Sequence, residues 1–350
     1  MNSPNRRQFF SAALAAGAAE AAEFVKPKHF TVDCQSHLFA PELVKFMLKR
    51  KEQPYAYEKD GATYVVVGEW HRRLRDNHMD VDAKIAAMDE AGIEMTALSI
   101  NDPGPELFGA EGREASRIVN DFIAGVVRDR PDRFFGLMTL PLQDMDLALE
   151  ELERGVEKLG MKGILLYSNL DGAFPDEPQF RPLFAEAERR GIPVLLHPAY
   201  PVTYNETKAY SLTGGLGLMF DTTIALARLI LGGVLEEHPN LKLVCPHVGG
   251  ALPYLIGRLD HQTQVLGRGA DKITKPPSEY VKGIYLDAVS PIGLAIRYGV
   301  DFVGADRMLY SSDHPWVDPK LIAGQVQSIG LSDEDEAKVF GENARRLFNL

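Results

Sequence analysis

The sequence predicts a single-domain α/β protein of the (β/α)8 (TIM) barrel class, with an insertion after its first strand. Three observations carry that prediction. Eight short apolar runs recur along the chain, stretches of helical length separate them, and Gly or Pro stands at many of the joints. Such alternation implies parallel strands joined by helical crossovers, and eight units of that kind close a barrel.

In chain order, strands are expected at 31–37, 94–100, 134–138, 162–167, 192–197, 241–246, 283–287 and 307–312. Between them, helices are expected at 81–91, 114–129, 146–159, 179–190, 221–237, 253–266 and 291–298, with two more at 319–327 and 333–347. Gly92, Pro131, Gly160, Gly191 and Pro239 fall where helices should stop. Segment 38–80 is too long for a simple loop. It is expected to lie over the barrel mouth, with Trp70, Arg72, Arg73 and Arg75 at its end.

Residues 1–27 are set apart from the fold, leaving 28–350 as the barrel domain. Arg6-Arg7 ahead of the Ala-rich run "SAALAAGAA" resembles a twin-arginine export signal. That reading expects a periplasmic protein; an ordinary leader on a cytoplasmic protein is the alternative. The run is too short and too polar to span a bilayer, and no later stretch is expected to do so.

The 350 residues are 45% hydrophobic and 25% charged, an ordinary globular balance. A net charge of −11 argues against nucleic acid as a partner. Cys34 and Cys245 fall on different, non-adjacent strands and are expected as buried thiols rather than a disulfide.

Function is expected at the C-terminal strand ends, where barrels of this class place their active sites. The first strand, "TVDCQSH", carries Asp33, Gln35 and His37 on one face, a costly arrangement unless something binds them. His197 ends the fifth strand, His247 follows the sixth, and Asp313 follows the eighth. One such histidine is usually a hydrogen-bonded core residue, but three with a carboxylate on one rim suit a divalent metal, zinc or alternatively manganese. Asp33, two residues deeper, is expected to support the barrel. His314 and Trp316 follow the eighth strand on the same rim and are expected to bind substrate, with loop packing as the alternative.

These motifs resemble the amidohydrolase superfamily, in particular its amidohydrolase-related branch typified by aminocarboxymuconate semialdehyde decarboxylase. The resemblance runs over residues 31–350 and is carried by the first-strand motif, Leu196-His197-Pro198, "HPNLKLVCPHVGGALPYLIGRLD", "PSEYVKGIYLDAVS", "GADRMLYSSDHPW" and "GENARRLFNL". It implies His37, His197 and Asp313 as metal ligands and His247 as the unligated catalytic histidine. It also implies a homodimer in which Arg258, in "GRLD", reaches a neighbouring pocket to hold a substrate carboxylate; a surface ion pair is the alternative.

At one position the sequence departs from the family. Relatives carry His or Glu where this chain has Gln35, which offers a neutral and weaker oxygen. Gln35 is expected as a fourth, weak ligand, leaving a dication and one carboxylate with a net charge of +1.

The resemblance implies a metal-dependent, non-oxidative decarboxylase (a carboxy-lyase) of a small aromatic or unsaturated carboxylic acid, with Asp313 or His247 as proton donor. The first alternative is metal-dependent hydrolysis of a lactone, ester or amide. A metal-free binding protein, for which Gln35 is the only support, is the second.

Overall fold

The computed structural model describes residues 24–350, so the twin-arginine motif and the Ala-rich run lie outside the described residues. Eight parallel strands form one sheet in the order β1 (Val32–His37), β5 (Met95–Ser99), β6 (Phe134–Met138), β7 (Gly163–Tyr167), β8 (Val194–His197), β9 (Leu243–Cys245), β10 (Tyr285–Asp287) and β11 (Met308–Leu309). The last strand returns to the first. Cys34 N donates to Tyr310 O at 3.1 Å, Asp313 N to Gln35 O at 3.0 Å, and His37 N to His314 O at 2.8 Å. The chain is therefore a closed (β/α)8 barrel, with each strand where an apolar run placed it.

The reason is burial. Each barrel strand contributes at least one fully buried side chain: Cys34, Leu98, Leu137, Leu166, Leu195, Val244, Leu286 and Leu309. A strand covered on both faces reads as a continuous apolar run, and each large aliphatic so buried stabilises the fold by about 1.5–3 kcal/mol. Both cysteines are buried and free.

Local signals set the helix ends. Asp80 caps Val81–Ala91, its carboxylate accepting from Asp82 N (2.9 Å) and Ala83 N (3.0 Å), and Gly92 closes it in the left-handed conformation that glycine adopts without strain. The helix expected over 221–237 instead spans Leu218–Leu231 and Val234–Glu237, divided at Gly232-Gly233. That expected at 291–298 spans Gly293–Val303. Contrary to the expectation that no later stretch would suffice, Thr213–Leu231 is long and apolar enough to cross a membrane. Here it packs on the barrel, and its Asp221 is buried and accepts from Ser168 Oγ and from Asn169 Nδ2 at 2.7 Å.

Segment 38–80 holds more structure than expected. After the helix Pro41–Met47 come three antiparallel strands, β2 (Tyr55–Lys59), β3 (Ala62–Val67) and β4 (Trp70–Arg73). Asp60 and Gly61, both at positive φ, make the first hairpin turn. Alternation along β4 leaves His71 and Arg73 exposed and buries Arg72. Ahead of position 28, Val25 already exchanges hydrogen bonds with the Gln327 side chain, at 3.3 Å and 2.7 Å.

Candidate metal centre and active site

The strand ends expected to carry chemistry do converge. His37 closes β1, His197 closes β8, His247 follows β9 and Asp313 follows β11. One ligand atom each from His37, His197 and Asp313 lie within 4.8 Å of one another. His37 Nε2 stands 3.1 Å from Asp313 Oδ1, and His247 Nε2 lies 3.7 Å from Asp313 Oδ2. The imidazoles of His197 and His247 have centroids 6.0 Å apart.

Hydrogen bonds on the far side of each ring decide where the lone pairs point. His197 Nδ1 lies 2.8 Å from Pro198 O, a carbonyl that can only accept, so Nδ1 carries the proton. Its Nε2 is then a bare acceptor, buried and without a partner. Ser99 Oγ donates its one proton to Ser36 O (3.2 Å) and lies 3.0 Å from His37 Nδ1, so that nitrogen donates to it. His37 Nε2 then faces Asp313 Oδ1 as acceptor to acceptor. Gln35 Nε2 donates to the same Oδ1 at 3.2 Å, while Gln35 Oε1 is buried without a partner. Two of these acceptors, His197 Nε2 and Gln35 Oε1, are buried without a partner, and His37 Nε2 faces Asp313 Oδ1 without a proton between them; a cation answers that arrangement. Two imidazole nitrogens, a carboxylate and a carbonyl oxygen fit a borderline divalent ion.

Electrostatics agree. Burial works against an ionised Asp313, yet the neighbouring His247 and then His37 hold its carboxyl well below the usual carboxylate range. Burial likewise opposes charge on His247, but Asp313 and then Asp287 raise its pKa above the ordinary value. His197 is driven well below its ordinary value by burial, then by the neighbouring His37, as a neutral ligand requires.

Two of these residues are in unfavourable backbone conformations. His247 has φ 55° and Asp313 has φ 59°, the left-handed region that non-glycine residues rarely enter. Each is held by its neighbours: His247 N donates to Asp287 Oδ1 at 2.7 Å, and Asp313 N to Gln35 O.

Above the centre opens a cavity of about 1050 Å³. His197, His247 and Asp313 line its floor with Arg72, Asn101 and Asp102; Trp70, Met219, Tyr254, Leu294, Tyr298 and Trp316 supply apolar wall. Arg72 is buried beneath Trp70 and Trp316, with ring centroids 4.9 Å and 5.9 Å from its guanidinium, and is paired with Asp102 at 2.5 Å. Trp316 therefore lines this cavity. His314 does not line this cavity, contrary to expectation. Its ring turns back onto buried Lys84, whose Nζ lies 2.9 Å from His314 Nδ1. Arg258 also stays outside its own chain's cavity, exposed on the helix Leu252–Asp260 with no ion pair among the described residues. Ser99 and Asp287 are site residues that sequence reasoning does not single out, whereas Arg72 is expected only as part of the segment over the barrel mouth. For Arg72 a signal exists, because it shares Trp70's face two residues along a strand.

The amidohydrolase sequence pattern matches residues 32–350. This chain belongs to the amidohydrolase family. Within that family it is 31% identical over 317 residues to the gamma-resorcylate decarboxylase of a Rhizobium species, covering 83% of this chain and 94% of that one. It is 30% identical over 298 residues to 2-amino-3-carboxymuconate-6-semialdehyde decarboxylase of Dictyostelium discoideum, covering 83% and 82%. A solved dihydroxybenzoic acid decarboxylase from Polaromonas, with bound manganese and the inhibitor 2-nitroresorcinol, is similar at a TM-score of 0.78 and 26% identity, covering 92% and 97%. A divalent metal is thereby supported for this amidohydrolase, and zinc is not favoured over manganese.

A side cavity of about 280 Å³ lies between the β2–β4 sheet and the rim, lined in part by Glu106, Asn169 and Tyr200. Glu106 is buried with Oε2 unpartnered, and burial pushes its carboxyl up to about 8, helped by Asp102 and Asp171. A carboxyl raised above its unfolded value of 4.5 takes up a proton on folding, so stability falls as pH rises from about 4.5 to 8. Glu106→Gln is therefore expected to raise the unfolding temperature at pH 8.5, with the gain fading towards pH 4.5. Each tenfold increase in the carboxyl's proton affinity on folding corresponds to about 1.4 kcal/mol, which bounds the size of that gain. A gain of equal size at both pH values would contradict this account.

Proposed function

We propose that this amidohydrolase is a divalent-metal-dependent, non-oxidative decarboxylase of small aromatic carboxylic acids. The observation that carries the reading is the ring of inward-facing acceptors, His37 Nε2, His197 Nε2, Asp313 Oδ1 and Gln35 Oε1, beside His247 at the floor of an apolar-walled cavity. When bound there, a manganese or zinc ion supplies the positive charge that holds the substrate's carboxylate and an adjacent oxygen. His37, His197 and Asp313 would hold it, with Gln35 as the weak fourth ligand.

The chain's own residues do the rest. His247 and Asp313 hold a proton at the cavity floor and deliver it to the ring carbon that bears the carboxylate. The bond from that carbon to the carboxylate then breaks, its electron pair returns to the ring, and carbon dioxide leaves. Trp70 and Trp316 pack against the flat substrate and exclude water, while Arg72 lends positive charge to the anion's approach. A homodimer in which exposed Arg258 serves a neighbouring cavity belongs to the same reading.

The test is metal-stripped protein reconstituted with manganese or zinc and offered hydroxybenzoates and lactones. Carbon dioxide release from a hydroxybenzoate, lost on chelation and restored by metal, is the expected result. Ring-opened lactone without carbon dioxide would replace this function with hydrolysis. A protein that takes up neither metal would defeat both.

A further inference from the structure

The seam where the barrel closes holds two buried titratable side chains, Asp33 and Lys84, and the decarboxylation proposed above uses neither. On one side, Asp33 accepts from Ser312 N at 2.9 Å, Ser312 Oγ at 2.5 Å and Gln35 N at 3.2 Å. On the other, Lys84 Nζ meets Ser36 Oγ at 2.6 Å, His314 Nδ1 at 2.9 Å and His314 O at 3.3 Å. Lys84 is 1% exposed and has no carboxylate within ion-pair distance among the described residues.

An unpaired buried ammonium is costly, and a neutral side chain of similar length would fill the space. What distinguishes Lys84 is its set of partners. Its three protons are matched to three acceptors, all belonging to Ser36 or His314. Those two residues are the sequence neighbours of Gln35, His37 and Asp313. Ser36 Oγ in turn donates to His314 O at 3.2 Å, tying β1 to the segment after β11. Asp313 itself sits at φ 59°, which persists only when the flanking residues are fixed. Asp33 fixes the residue before it, Ser312, and Lys84 fixes the residue after it, His314.

We infer that Lys84 is a positioning residue for the metal centre: acting through His314 and Ser36, it holds the Asp313 carboxylate in its left-handed turn, aimed between His37 and His247. With Lys84 Nζ on His314 Nδ1, the His314 ring is seated on Lys84 and outside the cavity. The inference rests on the metal reading above.

Its test measures manganese binding by full-length, metal-stripped protein, using calorimetry and the electron paramagnetic resonance signature of the bound ion. Lys84→Met is expected to weaken manganese about 10- to 100-fold and to alter that signature, at temperatures well below unfolding. Lys84→Arg should recover most of the affinity, since it restores a buried cation able to donate to the same acceptors. Should Lys84→Met fail to fold, Ser36→Ala keeps the cation, removes one of its anchors, and should still weaken manganese several-fold. Wild-type-like affinity and signature in Lys84→Met, or in Ser36→Ala where the first does not fold, would overturn this inference alone. An absence of manganese binding by the wild-type protein would overturn the metal reading and this inference together.

Discussion

Asp313→Asn is expected to abolish decarboxylation, lowering carbon dioxide release by about 10³-fold or more at saturating substrate and manganese. The substitution preserves shape and removes charge. In the native chain one carboxylate faces three groups at once: His37 Nε2 at 3.1 Å, Gln35 Nε2 at 3.2 Å and His247 Nε2 at 3.7 Å. With Gln35 neutral, Asp313 is the only anion offered to an ion at this centre among the described residues, and it is also the partner that favours a proton on His247. Both functions fail together in the amide. Manganese binding should weaken in parallel, and circular dichroism should show the fold retained. A variant keeping a tenth of the native rate would refute the assignment.

His247→Asn should separate those two functions. His247 lies beside the close triad but does not belong to it, since the ligand atoms within 4.8 Å of one another come from His37, His197 and Asp313. Its Nε2 faces Asp313, and its Nδ1 is buried without a partner. Loss of a positioned proton donor costs about 10²–10⁴-fold in kcat, so the turnover number should fall by that order. Manganese affinity should stay within a few-fold of the native value. A large loss of metal affinity with little change in kcat would make His247 a ligand instead.

Much of the barrel is legible in the sequence because burial on both faces leaves unbroken apolar runs, as at Leu195-Leu196 before His197 and Val244-Cys245 before His247. The same logic locates the four rim residues, since a polar group directly after such a run falls at the strand's open end. The β2–β4 sheet escapes that reading although its signs are present: aromatic and β-branched residues through Tyr55–Lys59 and Ala62–Val67, and Asp60-Gly61 between them. His314 is misplaced for a different reason. Strand order puts it on the rim, but the direction of its ring is set by Lys84, which lies 230 positions away in the chain. Arg72 poses the same difficulty, its neighbour Asp102 arriving from another strand end. Local pattern locates a backbone; only tertiary contacts aim a side chain.

The seam between β1 and the stretch after β11 has a consequence for biogenesis. His37 emerges from the ribosome 276 residues ahead of Asp313. Until the final strand docks, three imidazoles and an amide are present without the anion that completes them. Ion capture therefore reports a finished barrel, and a nascent or truncated chain ending before that docking would have to mature without the ion's help.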